Sequence, residues 1–148
     1  MTLDQSRVRQ FLAGMRDRVA RLREIATEGP DAFRDDFRSH HAAMRLLQIS
    51  IEDMINIGSH IIARRSYRAP KDFADVFRVL NEEGIISSDA AGRYARMARF
   101  RNRLVHVYWD VDLDQVYSVL NSDLGDFETY AESVARLFLE ETSAGPGD

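Results

Sequence analysis

The run Arg99-Phe100-Arg101-Asn102-Arg103-Leu104-Val105-His106-Val107-Tyr108-Trp109 gathers the side chains best suited to chemistry in this 148-residue chain. On a helix turning about 100° per residue, Arg101 falls on an apolar arc with Tyr94, Met97, Leu104 and Tyr108. A charge left unpaired at such a position is costly, so a guanidinium there calls for a partner or a purpose. His106 stands one turn after Asn102, at the border between that arc and a basic face made by Arg96, Arg99 and Arg103. Imidazole titrates near neutral pH and can take or give a proton. Guanidinium can hold two phosphate oxygens and stabilise charge developing on phosphorus. Arg101 and His106 together therefore suit cleavage of RNA by its own 2′-hydroxyl, a reaction that needs no metal, with Arg96, Arg99 and Arg103 placed to hold the RNA backbone.

No other segment offers a competing site. His40-His41 and His60 are not at ligand spacing with a carboxylate pair, and no glycine-rich phosphate loop is present. Neither a metal nor a cofactor is expected. Bland readings stand beside the catalytic one. A histidine at a helix end often serves structure alone, an arginine on an apolar face can carry its head to the surface, and an arginine stripe is often a solvated face. Glu52 and Asp53 interrupt the most apolar stretch of the chain, so at least one must be paired or face a cleft. Asp53 is the expected support for Arg101 or His106, where its charge would raise the imidazole pKa; an ordinary salt bridge to any arginine is the other reading.

The elements that must position these groups are helices. Val8, Leu12, Met15, Val19, Leu22 and Ala26 follow a 4-3-4-3-4 spacing, which makes one helical stripe. Gly29-Pro30 ends it, and Pro30 can open the next helix. Phe33, Phe37, His40, Met44, Leu47, Ile51, Met54, Gly58 and Ile61 then continue as one long, central helix. A short third helix is predicted over 72–83, closed by Gly84 in a left-handed conformation. Ser87-Ser88-Asp89 offers caps for a fourth, running to about His106. Asp112 with Gln115 resembles a capping box for a fifth, whose stripe runs from Leu113 through Val116, Leu120, Leu124, Phe127, Ala131 and Val134 to Phe138. The expected fold class is all-α: an antiparallel four-helix-type bundle with an additional short helix. One domain should cover 1–142, with 143–148 a disordered tail. The apolar stripes on the second and fourth helices exceed what one such layer should bury, which predicts a homodimer.

Composition bounds the function. A chain of this length fits one domain, and its 45% hydrophobic and 30% charged residues suit a folded core rather than disorder. Cysteine is absent, which rules out a disulfide framework and thiolate metal ligands. The N-terminal residues have no apolar core of a signal peptide, and no run of about 18 apolar residues could span a bilayer; a cytoplasmic protein with no membrane partner is expected. A net charge of −4 argues against coating nucleic acid by bulk charge. The distribution is less even: from Ala90 to Trp109 there is no acid, while arginines recur at 93, 96, 99, 101 and 103.

Taken as a motif, Arg101-Asn102-Arg103-Leu104-Val105-His106-Val107-Tyr108 resembles the Arg-x4-His-x-Tyr signature of the HepT family within the HEPN superfamily. The likeness extends from about Ala42 to Leu139. It takes in Gln48 and Ile51-Glu52-Asp53, the Pro70-x-Asp72-Phe73 start, the Leu80-x-x-x-Gly84-Ile85-Ile86 turn and the stretch from Met97 to Tyr108. The resemblance implies a HEPN-like antiparallel helical homodimer with both motifs facing a shared cleft. It implies that Arg101 and His106 are the RNase pair, supported by Asn102, in the toxin of a type VII-like toxin–antitoxin system. It further implies that a partner minimal nucleotidyltransferase of the MntA type silences the toxin by adenylylating Tyr108. Two positions depart from the pattern: Val107 stands where relatives often carry a polar or acidic residue, and Arg103 where they often carry an aliphatic one. The alternative is a catalytically silent HEPN module that binds nucleotide or scaffolds a nucleotidyltransferase. A plain helical dimerisation protein would leave the arginine cluster without a purpose.

Overall fold

The structure, a computed structural model, describes residues 4–106 and 108–144. Its elements are α1 (Gln5–Ala26), α2 (Pro30–Asp35), α3 (Phe37–Arg65), α4 (Phe73–Glu82), α5 (Ser88–His106), a 3₁₀ turn (Tyr108–Asp110), α6 (Leu113–Ser122) and α7 (Gly125–Ala144). There is no strand among the described residues, so the all-α class holds. Helix α3 is the centre, packed against α1, α4 and α5. Leu47, Ile51, Met54, Ile57, Gly58 and Ile61 along it are fully buried.

Two expected helices are each divided, for local reasons. Asp36 adopts an extended conformation (φ −98°, ψ 104°), and its carboxylate accepts the Arg38 amide at 2.9 Å. That capping bond outweighs the continuity of the apolar stripe and separates α2 from α3. Phe33 stays buried, whereas Phe37, past the break, is 62% exposed rather than in the core. The second division falls between α6 and α7 at Asp123. There the Asp126 and Phe127 amides donate to the carbonyls three residues back, at 3.0 and 3.2 Å. This tight turn keeps Leu120, Leu124 and Phe127 on one buried face, so the expected stripe survives the break. The Asp112 carboxylate caps α6 through the Asp114 amide at 2.9 Å, but Gln115 does not complete a capping box. Its Oε1 accepts from Arg103 at 3.2 Å. Helix α7 continues to Ala144, past the expected boundary at 142, and the rest of the tail lies outside the described residues.

The turn that returns the chain from α4 to α5 follows its sequence. Gly84 has φ 75°, its amide donates to Asn81, and the Ile85 amide donates to Leu80 at 2.9 Å. These two bonds satisfy the Leu80 and Asn81 carbonyls in the last turn of α4. The Ser87 hydroxyl then caps α5 through the Ala90 amide at 3.1 Å. The loop ahead of α4 is anchored on Asp75, 1% exposed, which accepts from Arg68 at 2.8 and 3.0 Å, from Arg78 at 2.9 Å and from the Lys71 amide. Donation from Arg68 and the Lys71 amide holds the Asp75 carboxyl far below the usual carboxylate range, despite its burial. In the core, Phe77, Tyr94 and Tyr130 meet edge to face with centroids 5.3–5.7 Å apart. The Tyr130 hydroxyl donates to the Met54 carbonyl at 2.8 Å. Gly58 faces the same place: a methyl group added to it would lie 2.6 Å from Val76 Cγ1 and 3.1 Å from the Tyr130 oxygen.

Candidate active site at the end of α5

Helix α5 buries Tyr94, Met97, Ala98 and Leu104, and Arg101 sits among them with its side chain only 15% exposed. The partner that makes this tolerable comes from α3. Arg101 Nη2 and Nε both donate to Glu52 Oε1, at 2.8 and 3.1 Å. Its Nη1 donates to Asn102 Oδ1 at 3.1 Å, and its Cζ lies 5.3 Å from the centroid of the Phe73 ring, a cation–π distance. Gln48 donates to the same Glu52 oxygen at 3.1 Å. Burial works to raise the Glu52 pKa, but bonds from Arg101 and Gln48, with the charges of Arg101 and Arg45, outweigh it. The carboxyl is held below its ordinary value. Among the described residues, three of Arg101's five N–H groups are thereby engaged, which leaves one on each Nη for a ligand.

Asp53 does not support this site. It faces α1, where it is paired with Arg18, whose Nε also donates to the Ser50 hydroxyl at 3.1 Å. The cause is helical rotation: Glu52 and Asp53 point about 100° apart, one toward α5 and one toward α1. Arg18 was legible as a partner, because it lies three residues after Met15 and four before Leu22, inside the buried stripe of α1 just as Arg101 lies inside that of α5. Asn102, half-buried, lies beside Arg101 and accepts from it.

His106 is exposed as the last residue of α5. Along the helix it lies about 7.5 Å beyond Arg101 and about 140° around from it, so one chain does not set the two side by side. Arg96, Arg99 and Arg103 are all exposed and share with His106 an arc of about 80°. Arg103 is steadied by Gln115, whereas Arg93, outside that group, is paired with Asp126 at 3.0 Å. The helical projection that placed Tyr108 on the face of Arg101 does not carry through, because α5 ends at His106 and the backbone of Tyr108 opens the 3₁₀ turn. Val107 and the side chain of Tyr108 lie outside the described residues.

Among the described residues, no group of three or more histidine, aspartate or glutamate side chains is arranged to hold a metal ion. Among the same residues, no helix is long and apolar enough to cross a membrane. A cavity of about 500 Å³ opens between α1 and α7, lined by Met15, Val19, Arg23, Phe127 and Ala131, and none of the candidate site residues borders it. A smaller one of about 220 Å³ adjoins the arginine face, between α5 and α6.

An all-helical domain whose fifth helix ends in a braced arginine and an exposed histidine is a domain of the HEPN class. The chain belongs to the ribonuclease HepT-like family, whose profile matches residues 15–134. It is similar to the mRNA nuclease HepT of Shewanella oneidensis, 27% identical over 116 residues that cover 78% of this chain and 86% of the relative. It is also similar to the tRNA nuclease HepT of Aphanizomenon flos-aquae, 29% identical over 114 residues, covering 76% and 77% of the two chains. Among solved structures, it resembles the tri-AMPylated Shewanella oneidensis HEPN toxin in complex with MNT antitoxin. The TM-score is 0.82 at 25% identity, over 87% of this chain and 96% of that one.

Proposed function

We propose that this chain is a metal-independent endoribonuclease, the toxin of a toxin–antitoxin pair in the cytoplasm, which acts as a homodimer and is silenced when a minimal nucleotidyltransferase adenylylates Tyr108. The observation that carries the reading is Arg101. A guanidinium is held almost buried by Glu52 and Asn102 with one N–H left on each Nη, at the end of the helix that presents His106 to solvent. In the reaction, a His106 imidazole takes the proton of a ribose 2′-hydroxyl, and the oxygen attacks the adjacent phosphorus. Arg101 donates to the equatorial phosphoryl oxygens as their charge grows. The 5′-oxygen leaves with a proton returned by an imidazolium, giving a 2′,3′-cyclic phosphate and a 5′-hydroxyl end. The spacing of Arg101 and His106 around one helix favours a cleft in which a second copy supplies the facing groups. Arg96, Arg99 and Arg103 extend that cleft with positive charge for the RNA backbone. The nuclease names of the relatives, and the AMPylated toxin bound to its antitoxin, support both activity and control.

The test is cleavage of end-labelled RNA by wild type, Arg101→Ala and His106→Ala, with and without EDTA. Circular dichroism of each variant reports the fold. Both substitutions should abolish cleavage, and EDTA should not affect the wild type. Incubation with the partner nucleotidyltransferase and ATP should add AMP mass to wild type and none to Tyr108→Phe. Cleavage that persists in His106→Ala, or stops on chelation, would refute the mechanism. Intact RNA with every form of the protein would favour the silent nucleotide-binding module.

A further inference from the structure

The cavity of about 220 Å³ beside the arginine face shares Arg96 with the RNA-binding face, and the rest of its lining has no part in the cleavage chemistry. Its walls include Ile51, Met97 and Phe100, and its polar groups include Arg96, Gln115 and Asp123. Two of these are linked to the candidate site through the chain: Phe100 precedes Arg101, and Ile51 precedes Glu52, which holds it. Gln115 is bonded to Arg103 through its oxygen, so its NH₂ group remains to donate. Asp123 is half-buried, and no described residue donates a hydrogen bond to its carboxylate. Its neighbour Asp126 is already taken by Arg93. Burial and the charge of Asp126 push the Asp123 carboxyl up against the opposing pull of Arg96, so the group has polar capacity to satisfy.

We infer that this cavity is a base-recognition pocket of the proposed nuclease and that it takes guanine, flipped out of single-stranded RNA. A free carboxylate offers two acceptor oxygens, best matched by two adjacent donors. Guanine alone among the four bases presents such a pair, N1–H and the N2 amino group. Adenine and cytosine place an acceptor next to their amino group, and uracil has a single N–H. The opposite edge of guanine carries O6 and N7, the acceptor pair that a guanidinium such as Arg96 meets with two N–H groups. The Phe100 ring and the aliphatic walls give the base an apolar surface to lie against. Arg96, at the mouth, begins the run that continues through Arg99 and Arg103 to His106, so a strand anchored at the pocket is led toward the reacting group.

The inference rests on the ribonuclease reading, and the experiment separates the two. Binding is measured by anisotropy with His106→Ala protein, so that nothing is cut, on short RNAs alike except for one position bearing guanosine, inosine or adenosine. Cleavage by wild type of the same RNAs is mapped in parallel. Guanosine should bind about tenfold more tightly than inosine, which lacks the N2 amino group, the span expected for one lost hydrogen bond to a charged acceptor. Adding Asp123→Asn should bring the guanosine-to-inosine ratio to about one. The substitution leaves the α6 cap in place, because that cap uses the Asp123 backbone N–H. Equal binding of guanosine and inosine by the His106→Ala protein would overturn the pocket, as would a preference that survives Asp123→Asn. A guanosine preference in binding with no cleavage by wild type would keep the pocket and sink the nuclease.

Discussion

Replacing Glu52 by Gln removes one charge from the site and leaves its shape. E52Q can still accept from Arg101 and Gln48, so what is lost is the ionic part of three hydrogen bonds, two from Arg101 at 2.8 and 3.1 Å and one from Gln48 at 3.1 Å. Hydrogen bonds to charged groups contribute roughly 1.5–3 kcal/mol against about 1 for neutral ones. The pair is 15% and 29% exposed, so solvent screens part of that difference. A stability loss of about 1–2 kcal/mol should follow, read as a fall of roughly 3–6 °C in Tm for a chain of this size. The effect on activity has another origin. An arginine no longer held in one rotamer must be ordered again in the transition state, at up to about 2 kcal/mol, which lowers kcat/KM by roughly 10- to 30-fold. Acid should erase the stability difference. The folded Glu52 pKa lies below the unfolded value of about 4.3. Its contribution is therefore complete above that value and is lost as pH falls through the folded pKa, so wild type and E52Q should converge there. Urea unfolding at several pH values and initial rates on one RNA supply the data. A kcat/KM within threefold of wild type, or a stability loss in urea of the same size when E52Q is made in Arg101→Ala, would refute the view that Glu52 acts by holding Arg101.

Gly58→Ala should destabilise the fold by about 1–2 kcal/mol in urea, because crowding against Val76 and Tyr130 exceeds the gain of about 1 kcal/mol in helix propensity. Asp75→Asn should lower Tm by roughly 5–10 °C, since Arg68, Arg78 and the Lys71 amide lose a charged acceptor. The Asp75 pKa is depressed in the fold, so its stabilisation is present above the unfolded value of about 3.9 and is lost as pH falls below it. Asp75→Asn should accordingly show a flatter decline of stability with acid than wild type.

Much of the bundle could be read from the chain because its signals are local. The α1 stripe, the Gly84 turn, the Ser87 cap and the span of α5 each depend on residues within a few positions of one another, and the structure agrees with them. Arg101 could be singled out because helical periodicity alone places it among core residues. What the sequence concealed depends on competition or rotation. At Asp36 a cap and an apolar stripe pulled opposite ways, and the stripe alone does not reveal that the cap wins. The turn at Asp123 preserves the buried face, so the pattern of apolar residues carries no mark of the break. Choosing between Glu52 and Asp53 requires knowing on which side of α3 each neighbouring helix lies, information held by tertiary packing and by neither acid. Tyr108 was placed by extending a helix that stops two residues short of it.

The two acids also constrain how the chain can change in length. Glu52 and Asp53 clasp α5 and α1 from one level of α3, and one turn further on Gly58 is seated against α4 and α7 through Val76 and Tyr130. Inserting or deleting a single residue between Asp53 and Gly58 would rotate one set of contacts against the other by about 100°. Either both arginines would be left without their carboxylates, or bulk would move into the glycine's place. Changes in chain length should therefore collect in the connections at 27–29, 66–72 and 111–112, while α3 keeps its residue count. The central helix acts as a ruler for the domain, graduated in single residues.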